Sequence, residues 1–187
     1  MIYILTGVAK SGKTYVSKKL SQQFHLQLIQ TDHIMMMLHK GNKKLGLDIH
    51  ASDSSVSLFL EPYLLGLIET IIHQKSDFLI EGVHFLPSFA KRLTDLYSKQ
   101  IRVLFLVYEK IDPKEKAHEL LNHIDDMENP WFKEMTMDEL IELCTYMKNE
   151  SKRIRIACEN HQIDYLDIDD ITQNMDLITE KLLHKSI

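Results

Sequence analysis

The stretch that most constrains the fold lies at the start of the chain, where an apolar run meets a glycine-containing loop and an amphipathic segment. Residues 1–20 read MIYILTGVAKSGKTYVSKKL, and residues 7–14 fit the pattern G-x-x-x-x-G-K-[ST]. Residues 2–6 have the β-branched and aromatic composition of a buried parallel strand, and residues 14–24 have helical periodicity. Strand, loop and helix in this order are the context that makes the pattern specific. The sequence therefore predicts a phosphate-binding loop.

The loop has the chemistry of an anion cradle. Glycines let successive backbone N–H groups point inward, and the helix N-terminus adds positive potential. Lys13 is predicted to reach the β- and γ-phosphates of a nucleotide, and the Thr14 hydroxyl is predicted to ligate Mg²⁺. The alternative is a plain turn with an exposed lysine and a helix-capping threonine, but the correct flanks on both sides favour nucleotide binding. The predicted nucleotide-binding residues are Gly7, Val8, Ala9, Lys10, Ser11, Gly12, Lys13 and Thr14.

Length and composition exclude several classes of protein. A chain of 187 residues is most simply one domain with a proper core. A hydrophobic share of 44% and a charged share of 26% are typical of a soluble globular protein. The net charge is −5 and there are four arginines, whereas a surface that binds duplex nucleic acid needs a basic excess. We therefore expect no nucleic-acid partner.

The same features predict a cytoplasmic protein. No apolar run approaches about 18 residues, so we expect no membrane partner, and the N-terminus lacks a basic region and a cleavage site. Cys144 and Cys158 fall in one predicted helix, which would hold them about 21 Å apart. That distance is beyond the reach of a disulfide. Both are interpreted as buried or idle thiols in a reducing cytoplasm.

Two acidic residues follow predicted strands. Asp32 comes after a predicted second strand at residues 26–30 and opens a helix, where it could be a helix cap or a functional group. Ligands of open α/β sheets bind beyond the carboxyl ends of the strands, and this favours a functional role. Glu81 ends a predicted third strand at residues 77–82 and can order Mg²⁺ or its water shell. Its alternative is a glutamate neutralised by Lys13 or by a helix N-terminus.

The rest of the chain alternates helices with strands. Residues 33–75 are predicted to be a helical insertion between the second and third strands. His84 and the Trp131–Phe132 pair are interpreted as structural. Further strands are predicted at residues 101–107 and 163–168, and a long amphipathic helix at 137–161. This alternation predicts an α/β fold with a parallel sheet.

Three segments resemble the P-loop kinase superfamily, most closely its 2-phosphoglycerate-kinase-like small-molecule kinases and its nucleotide kinases. They are GVAKSGKT at 7–14, TDHI at 31–34 and LIEGVHFLP at 79–87. The order of a strand-two aspartate and a strand-three glutamate-glycine points to kinases rather than GTPases or motor ATPases. The resemblance implies a three-layer fold with five parallel strands in the order 2-3-1-4-5 and helices on both faces. It further implies a single kinase-like domain over residues 1–187, with an acceptor-binding insertion at about 33–75 and a lid at about 122–155.

The function implied by the resemblance is transfer of the γ-phosphate of ATP, with Mg²⁺, to a small-molecule acceptor. Asp32 would contact the acceptor hydroxyl or act as its base, Glu81 would support the metal or the substrate, and Arg153 is the best candidate for a lid arginine. A regulatory nucleotide-binding module, an ATPase without a small acceptor, and a nucleoside or nucleoside-monophosphate kinase stay open as alternatives.

One departure from the resemblance concerns the acceptor. Relatives often carry an arginine just after the T-D-x-I segment, where it grips an anionic acceptor, and this chain has Met35 there. That difference weakens the case for 2-phosphoglycerate and leaves the acceptor open. A lysine at position 10, 40, 43 or 44 could replace the charge, but a lysine is a point charge rather than a bidentate fork.

Overall fold

The computed structural model describes residues 1–122, 124 and 132–183. Its strands are β1 (Ile2–Gly7), β2 (Gln27–Gln30), β3 (Phe78–Glu81), β4 (Ile101–Val107) and β5 (Tyr165–Asp167). Its helices are α1 (Lys13–Phe24), α2 (Thr31–Gly41), α3 (Asp53–Ile71), α4 (Pro87–Leu96), α5 (Pro113–Asn122), α6 (Met137–His161) and α7 (Met175–Leu183).

The described strands form one parallel sheet in the order β2-β3-β1-β4-β5. The central strand β1 pairs with both β3 and β4, so that Ile4 lies opposite Ile80 on one side and Val103 on the other. All of β1 and β3 is buried, as expected for strands covered on both faces. The predicted α/β class, strand number and strand order are confirmed.

Two apolar clusters cover the two faces of the sheet. On one face Ile4 and Ile80 pack with Leu60 and Leu64 of α3, together with residues of α4. On the other face β-strand leucines pack with α1 and α7, through residues that include Leu5, Leu79, Leu104, Val16, Leu20 and Ile178. Because parallel strands end together, this packing brings the ends of β1, β2 and β3 to one edge of the sheet.

The helices of the insertion start at polar residues. Helix α2 begins at Thr31, so Asp32 lies in its first turn, in agreement with the prediction that it opens a helix. Helix α3 begins at Asp53 and has Pro62 in its interior. Polar residues precede the apolar periodicity at both N-termini, so the hydrophobic pattern alone would start each helix too late.

Helix α3 also has the length and composition of a membrane span, the one such helix in the part of the chain that the structure describes. Its Leu60, Leu64 and Ile68 are completely buried in the core. A core helix satisfies the same test of length and composition, and these three side chains lie in the core.

The predicted helix at 137–161 is confirmed as α6. Thr136 and Glu139 form a capping box that fixes its start. Cys144 and Cys158 are buried in it as free thiols, and burial raises the pKa of both. Residues 123 and 125–131 of the predicted lid, with Trp131, lie outside the described residues, whereas Phe132 is buried beside α6.

Candidate active site

The loop between β1 and α1 needs glycine at its first position. Gly7 has φ +123°, and a Cβ there would overlap the carbonyl oxygen of Leu106 on β4 and lie 2.6 Å from the Leu106 nitrogen. The Val8 N–H donates to that same carbonyl at 3.1 Å, which holds the loop against β4. Lys10 and Gly12 adopt left-handed conformations with φ of 62° and 75°. These turns curl the backbone in the way that an anion-binding nest requires.

Lys13 is the most buried cation of the loop, with 4% of its surface exposed. Its Nζ donates to the Val8 carbonyl at 2.5 Å and to Ser11 Oγ at 2.9 Å, and Tyr108 Oη supports the loop by donating to the Ser11 carbonyl. The interpretation of position 13 as an exposed lysine is therefore wrong.

Burial lowers the pKa of Lys13 to about 8, while the nearby carboxylates of Glu81, Asp32 and Asp53 oppose this shift. A lysine with this pKa is still mostly protonated at neutral pH. The site thus holds a desolvated positive charge beside the loop, where it would act strongly on a phosphate.

Thr14 and Glu81 meet at the edge of the sheet. Thr14 is the second residue of α1. The cap position of this helix is Gly12 and no side chain forms a capping hydrogen bond, so Thr14 is not a helix cap. Its Oγ1 donates to Glu81 Oε2 at 3.3 Å, and Gln30 Nε2 donates to the same oxygen at 3.1 Å. Glu81 is 6% exposed. The structure therefore brings together the two residues predicted from the sequence to bind metal.

This pair fits Mg²⁺ by its chemistry, because both side chains offer hard oxygen ligands. Mg²⁺ is commonly held by one or two protein carboxylates, with substrate phosphates and water completing its shell. Among the described residues no three His, Cys, Asp or Glu side chains form a closed cage for a metal. An open site made of a hydroxyl and a carboxylate beside a phosphate loop matches that mode of binding.

Asp32 lies in the first turn of α2, at the same edge. Gln30 occupies the cap position without a side-chain cap bond, so the interpretation of Asp32 as a helix cap is wrong. The Asp32 side chain is 70% exposed, and its Oδ1 lies 3.8 Å from Nδ1 of the buried His84. His84 Nδ1 also hydrogen bonds with Thr31 Oγ1 at 2.7 Å. Asp32 is thus an accessible carboxylate on a rigid, buried support.

Gly82 makes this support possible. Its φ is +152°, and a Cβ there would overlap Thr31 Oγ1 and lie 2.9 Å from Thr31 Cβ. Glycine therefore lets the chain after β3 run directly against Thr31 and deliver His84 to it. Burial lowers the pKa of His84, with Asp32 and Asp53 acting in the opposite direction, so the imidazole is neutral at neutral pH.

Asp53 is an acidic residue that the sequence analysis did not single out and whose charge reaches the site. It is exposed at the first position of α3 and acts electrostatically on Lys10, Lys13 and His84, which belong to two other segments of the site. It also raises the pKa of Tyr146 on α6, although burial contributes more to that shift. In the sequence Asp53 lies in a polar, turn-rich stretch, and no local pattern distinguishes it from a helix-start residue.

The two arginines of α6 have different surroundings. Arg153 is 78% exposed and pairs with Glu150 at 2.7 Å. Arg155 binds Glu109 at 2.5 Å and Glu159 at 2.8 Å, so it is held by two carboxylates. Arg153 is the more available of the two and stays the predicted lid arginine.

Comparison with known proteins agrees with this geometry. No family model matches the chain, and no curated protein sequence is similar to it. Its fold is similar to that of an uncharacterised protein from Eubacterium ventriosum, with TM-score 0.57, 13% identity and 99% of each chain covered. It is also similar to shikimate kinase from Bacteroides thetaiotaomicron, with TM-score 0.55, 14% identity and 99% of each chain covered.

A gluconokinase from Sinorhizobium meliloti has TM-score 0.54 and 14% identity, over 97% of this chain and 89% of that one. At such identities these similarities establish the fold alone. The chain has the fold of the P-loop small-molecule kinases, and the resemblance stated from three short segments is confirmed at this level.

Proposed function

We propose that this protein is a kinase that transfers the γ-phosphate of ATP to a hydroxyl group of a small molecule. The observation that carries the proposal is the convergence of three groups at one sheet edge: the loop with its buried Lys13, the Thr14–Glu81 pair, and the accessible Asp32. Phosphoryl transfer needs alignment, charge neutralisation and exclusion of water more than covalent chemistry from the protein.

Each group has a distinct role in this proposal. The loop N–H groups and Lys13 bind the β- and γ-phosphates, and Thr14 with Glu81 holds Mg²⁺, which neutralises phosphate charge when bound. Asp32 accepts the proton of the attacking hydroxyl. The buried Thr31–His84 hydrogen bond keeps α2, and therefore Asp32, at a fixed place relative to the loop.

The remaining parts surround these groups. We propose that the insertion at about 33–75 binds the acceptor and that the segment at about 122–155 closes over the nucleotide, with Arg153 as its cation. The exposed position of Arg153 on α6 supports this assignment, since its one described partner, Glu150, lies on the same helix. The two buried free thiols support a cytoplasmic location.

The test is ADP release from Mg-ATP across a panel of sugars, polyols, amino alcohols, nucleosides and nucleoside monophosphates. Lys13→Ala should abolish release, and Lys19→Ala, an exposed lysine on the same helix, should leave it unchanged. Asp32→Asn should bind ATP as the wild type does but lose transfer. Wild-type turnover by Asp32→Asn would contradict its role as the base.

The same assay distinguishes the other functions. Tight ATP binding without any turnover would indicate a regulatory nucleotide-binding module. Turnover that no acceptor stimulates would indicate an ATPase. Stimulation by nucleosides or their monophosphates alone would assign the chain to that class of kinase.

A further inference from the structure

Gln30 and Glu81 end two neighbouring strands of the sheet. The register of β2 and β3 places them side by side as paired residues. Side chains along a strand alternate between the two faces of the sheet, and Leu28 and Leu79, two residues earlier in each strand, belong to the apolar cluster that packs against α1. Gln30 and Glu81 therefore point to the face that carries α1, where Thr14 lies in the first turn.

The side chain of Gln30 contacts Glu81 and does not cap the helix that follows. Gln30 occupies the cap position of α2, where a short side chain such as that of serine, aspartate or asparagine would accept a hydrogen bond from the backbone and stabilise the helix. Gln30 forms no such bond. Its Nε2 instead donates to Glu81 Oε2 at 3.1 Å. Helix stability alone would favour another residue at this position, so the contribution of the glutamine is its contact with Glu81.

The two oxygens of the Glu81 carboxylate have different surroundings. Oε2 accepts from Gln30 Nε2 and, at 3.3 Å, from Thr14 Oγ1. Oε1 has no hydrogen bond with any described residue. Within the described part of the chain, Thr6 Oγ1 is the one fully buried side-chain oxygen or nitrogen that lacks a partner, so Oε1 is accessible to solvent. Although Glu81 is buried as a whole, it therefore presents one carboxylate oxygen to the site.

Two neutral donors on one oxygen suit a carboxylate that supports a cation. The amide of Gln30 restricts the flexible glutamate side chain without neutralising its charge, which a lysine or arginine in its place would do. The Thr14 hydroxyl donates its single proton to Glu81, so its lone pairs stay available to a metal. Groups that hydrogen bond a metal ligand fix its orientation, and their loss typically lowers metal affinity or activity by roughly 10–100-fold.

We propose that Gln30 is a positioning residue for Glu81: its amide fixes Oε2, so that Oε1 and the Thr14 hydroxyl are available to Mg²⁺. This rests on the proposed kinase function and deepens it by naming a residue on which the metal site depends. Gln30 acts through Glu81 and not on the reacting atoms.

The experiment measures the dissociation constant of a non-hydrolysable ATP analogue by calorimetry, once with Mg²⁺ and once with EDTA. The ratio of the constant in EDTA to the constant in Mg²⁺ reports how much the metal contributes to binding, and no acceptor is required. Gln30→Met removes the amide and keeps most of the length of the side chain. We expect this variant to lower the ratio by about tenfold, with the constant in EDTA within about twofold of the wild-type value.

A second variant separates positioning from folding. Gln30→Asn keeps an amide but shortens the side chain by one carbon, about 1.5 Å, which takes the amide out of hydrogen-bond distance of Glu81. Asparagine is also a favoured helix cap, so without metal this variant should unfold at the temperature of the wild type or above it, while its ratio falls as in Gln30→Met. Gln27→Met is the matched control, because it changes the exposed glutamine at the start of the same strand and should leave both quantities unchanged.

The outcomes distinguish this proposal from the function on which it rests. A wild-type ratio in Gln30→Met or Gln30→Asn, or binding that weakens equally with and without Mg²⁺, would overturn the role of Gln30 and leave the kinase function standing. A wild-type protein that binds the analogue equally well in Mg²⁺ and in EDTA would refute the Thr14–Glu81 metal site of the proposed kinase, and with it the role of Gln30.

Discussion

Replacement of Lys13 by methionine tests the electrostatic description of the site, because it removes a buried charge and keeps most of the length of the side chain. The pKa of Lys13 is lowered from 10.5 to about 8, mainly by burial. At about 1.4 kcal/mol for each unit of pKa, keeping this lysine charged costs the folded protein about 3 kcal/mol at neutral pH. The lost hydrogen bonds to Val8 and Ser11 offset this by about 1 kcal/mol each. We therefore expect Lys13→Met to be more stable than the wild type by about 1 kcal/mol at pH 7, although it cannot transfer phosphate.

The pH dependence of stability separates the contribution of the Lys13 charge from that of its hydrogen bonds. Folding lowers the pKa, so between about pH 8 and 10.5 the unfolded wild-type chain binds more protons than the folded one, and wild-type stability rises with pH. Below this window Lys13 is charged in both states and the full cost is present; above it, Lys13 is neutral in both. The stability of Lys13→Met relative to the wild type should therefore fall by about 2 kcal/mol between pH 7 and pH 10.

Urea unfolding of both proteins at the two pH values measures this change. Other titrating groups are common to the two proteins and cancel in the difference. Lys19→Met is the matched control, because Lys19 is exposed on the same helix beside Tyr15. A difference between Lys13→Met and the wild type that is the same at pH 7 and pH 10 would refute the conclusion that a desolvated charge lies beside the loop.

Three further predictions concern the support of Asp32 and the lid. Gly82→Ala should lower the free energy of unfolding by roughly 2–5 kcal/mol, because the position has a positive φ and a Cβ would overlap Thr31. Gly66 lies within α3 and a Cβ there would meet open space, so Gly66→Ala should raise the free energy of unfolding by about 0.5–1 kcal/mol. Equal effects of the two substitutions in urea unfolding would contradict the tight packing at Gly82. His84→Ala should lower kcat about tenfold with ATP affinity unchanged, as loss of one buried hydrogen bond implies, and an unchanged kcat would show that this contact does not position Asp32. Arg153→Ala should lower kcat more than it weakens ATP binding, and a wild-type kcat would move the lid role to another cation.

The phosphate-binding half of the site could be predicted because it is local. Gly7 to Thr14 form a continuous stretch whose spacing is fixed by the turn they make, and both flanks have clear periodicity. Asp32 and Glu81 were predictable for a related reason, since each follows a strand and the ends of parallel strands meet at one edge. The burial of Lys13 was not predicted from the motif, because the loop that encloses it is supported by Tyr108, which is distant in sequence.

The residues around Asp32 come from segments that are distant in sequence. Asp53 follows a turn-rich segment and has no local pattern that indicates a site. His84 was interpreted as structural, and its hydrogen bond with Thr31 supports that interpretation. The same bond places His84 directly behind Asp32. Thr31 and His84 meet because β2 and β3, after which they follow, are neighbours in the sheet.

This division has a consequence for specificity. In the proposed function the loop, Lys13, Thr14 and Glu81 bind groups common to every nucleoside triphosphate, so their geometry would constrain the reaction and not the acceptor. Asp53 is at the start of a separate helix and contributes charge to the site without being part of the loop. A substitution of Asp53 should therefore leave ATP use intact, provided that Asp32 remains in place on its support of Thr31 and His84.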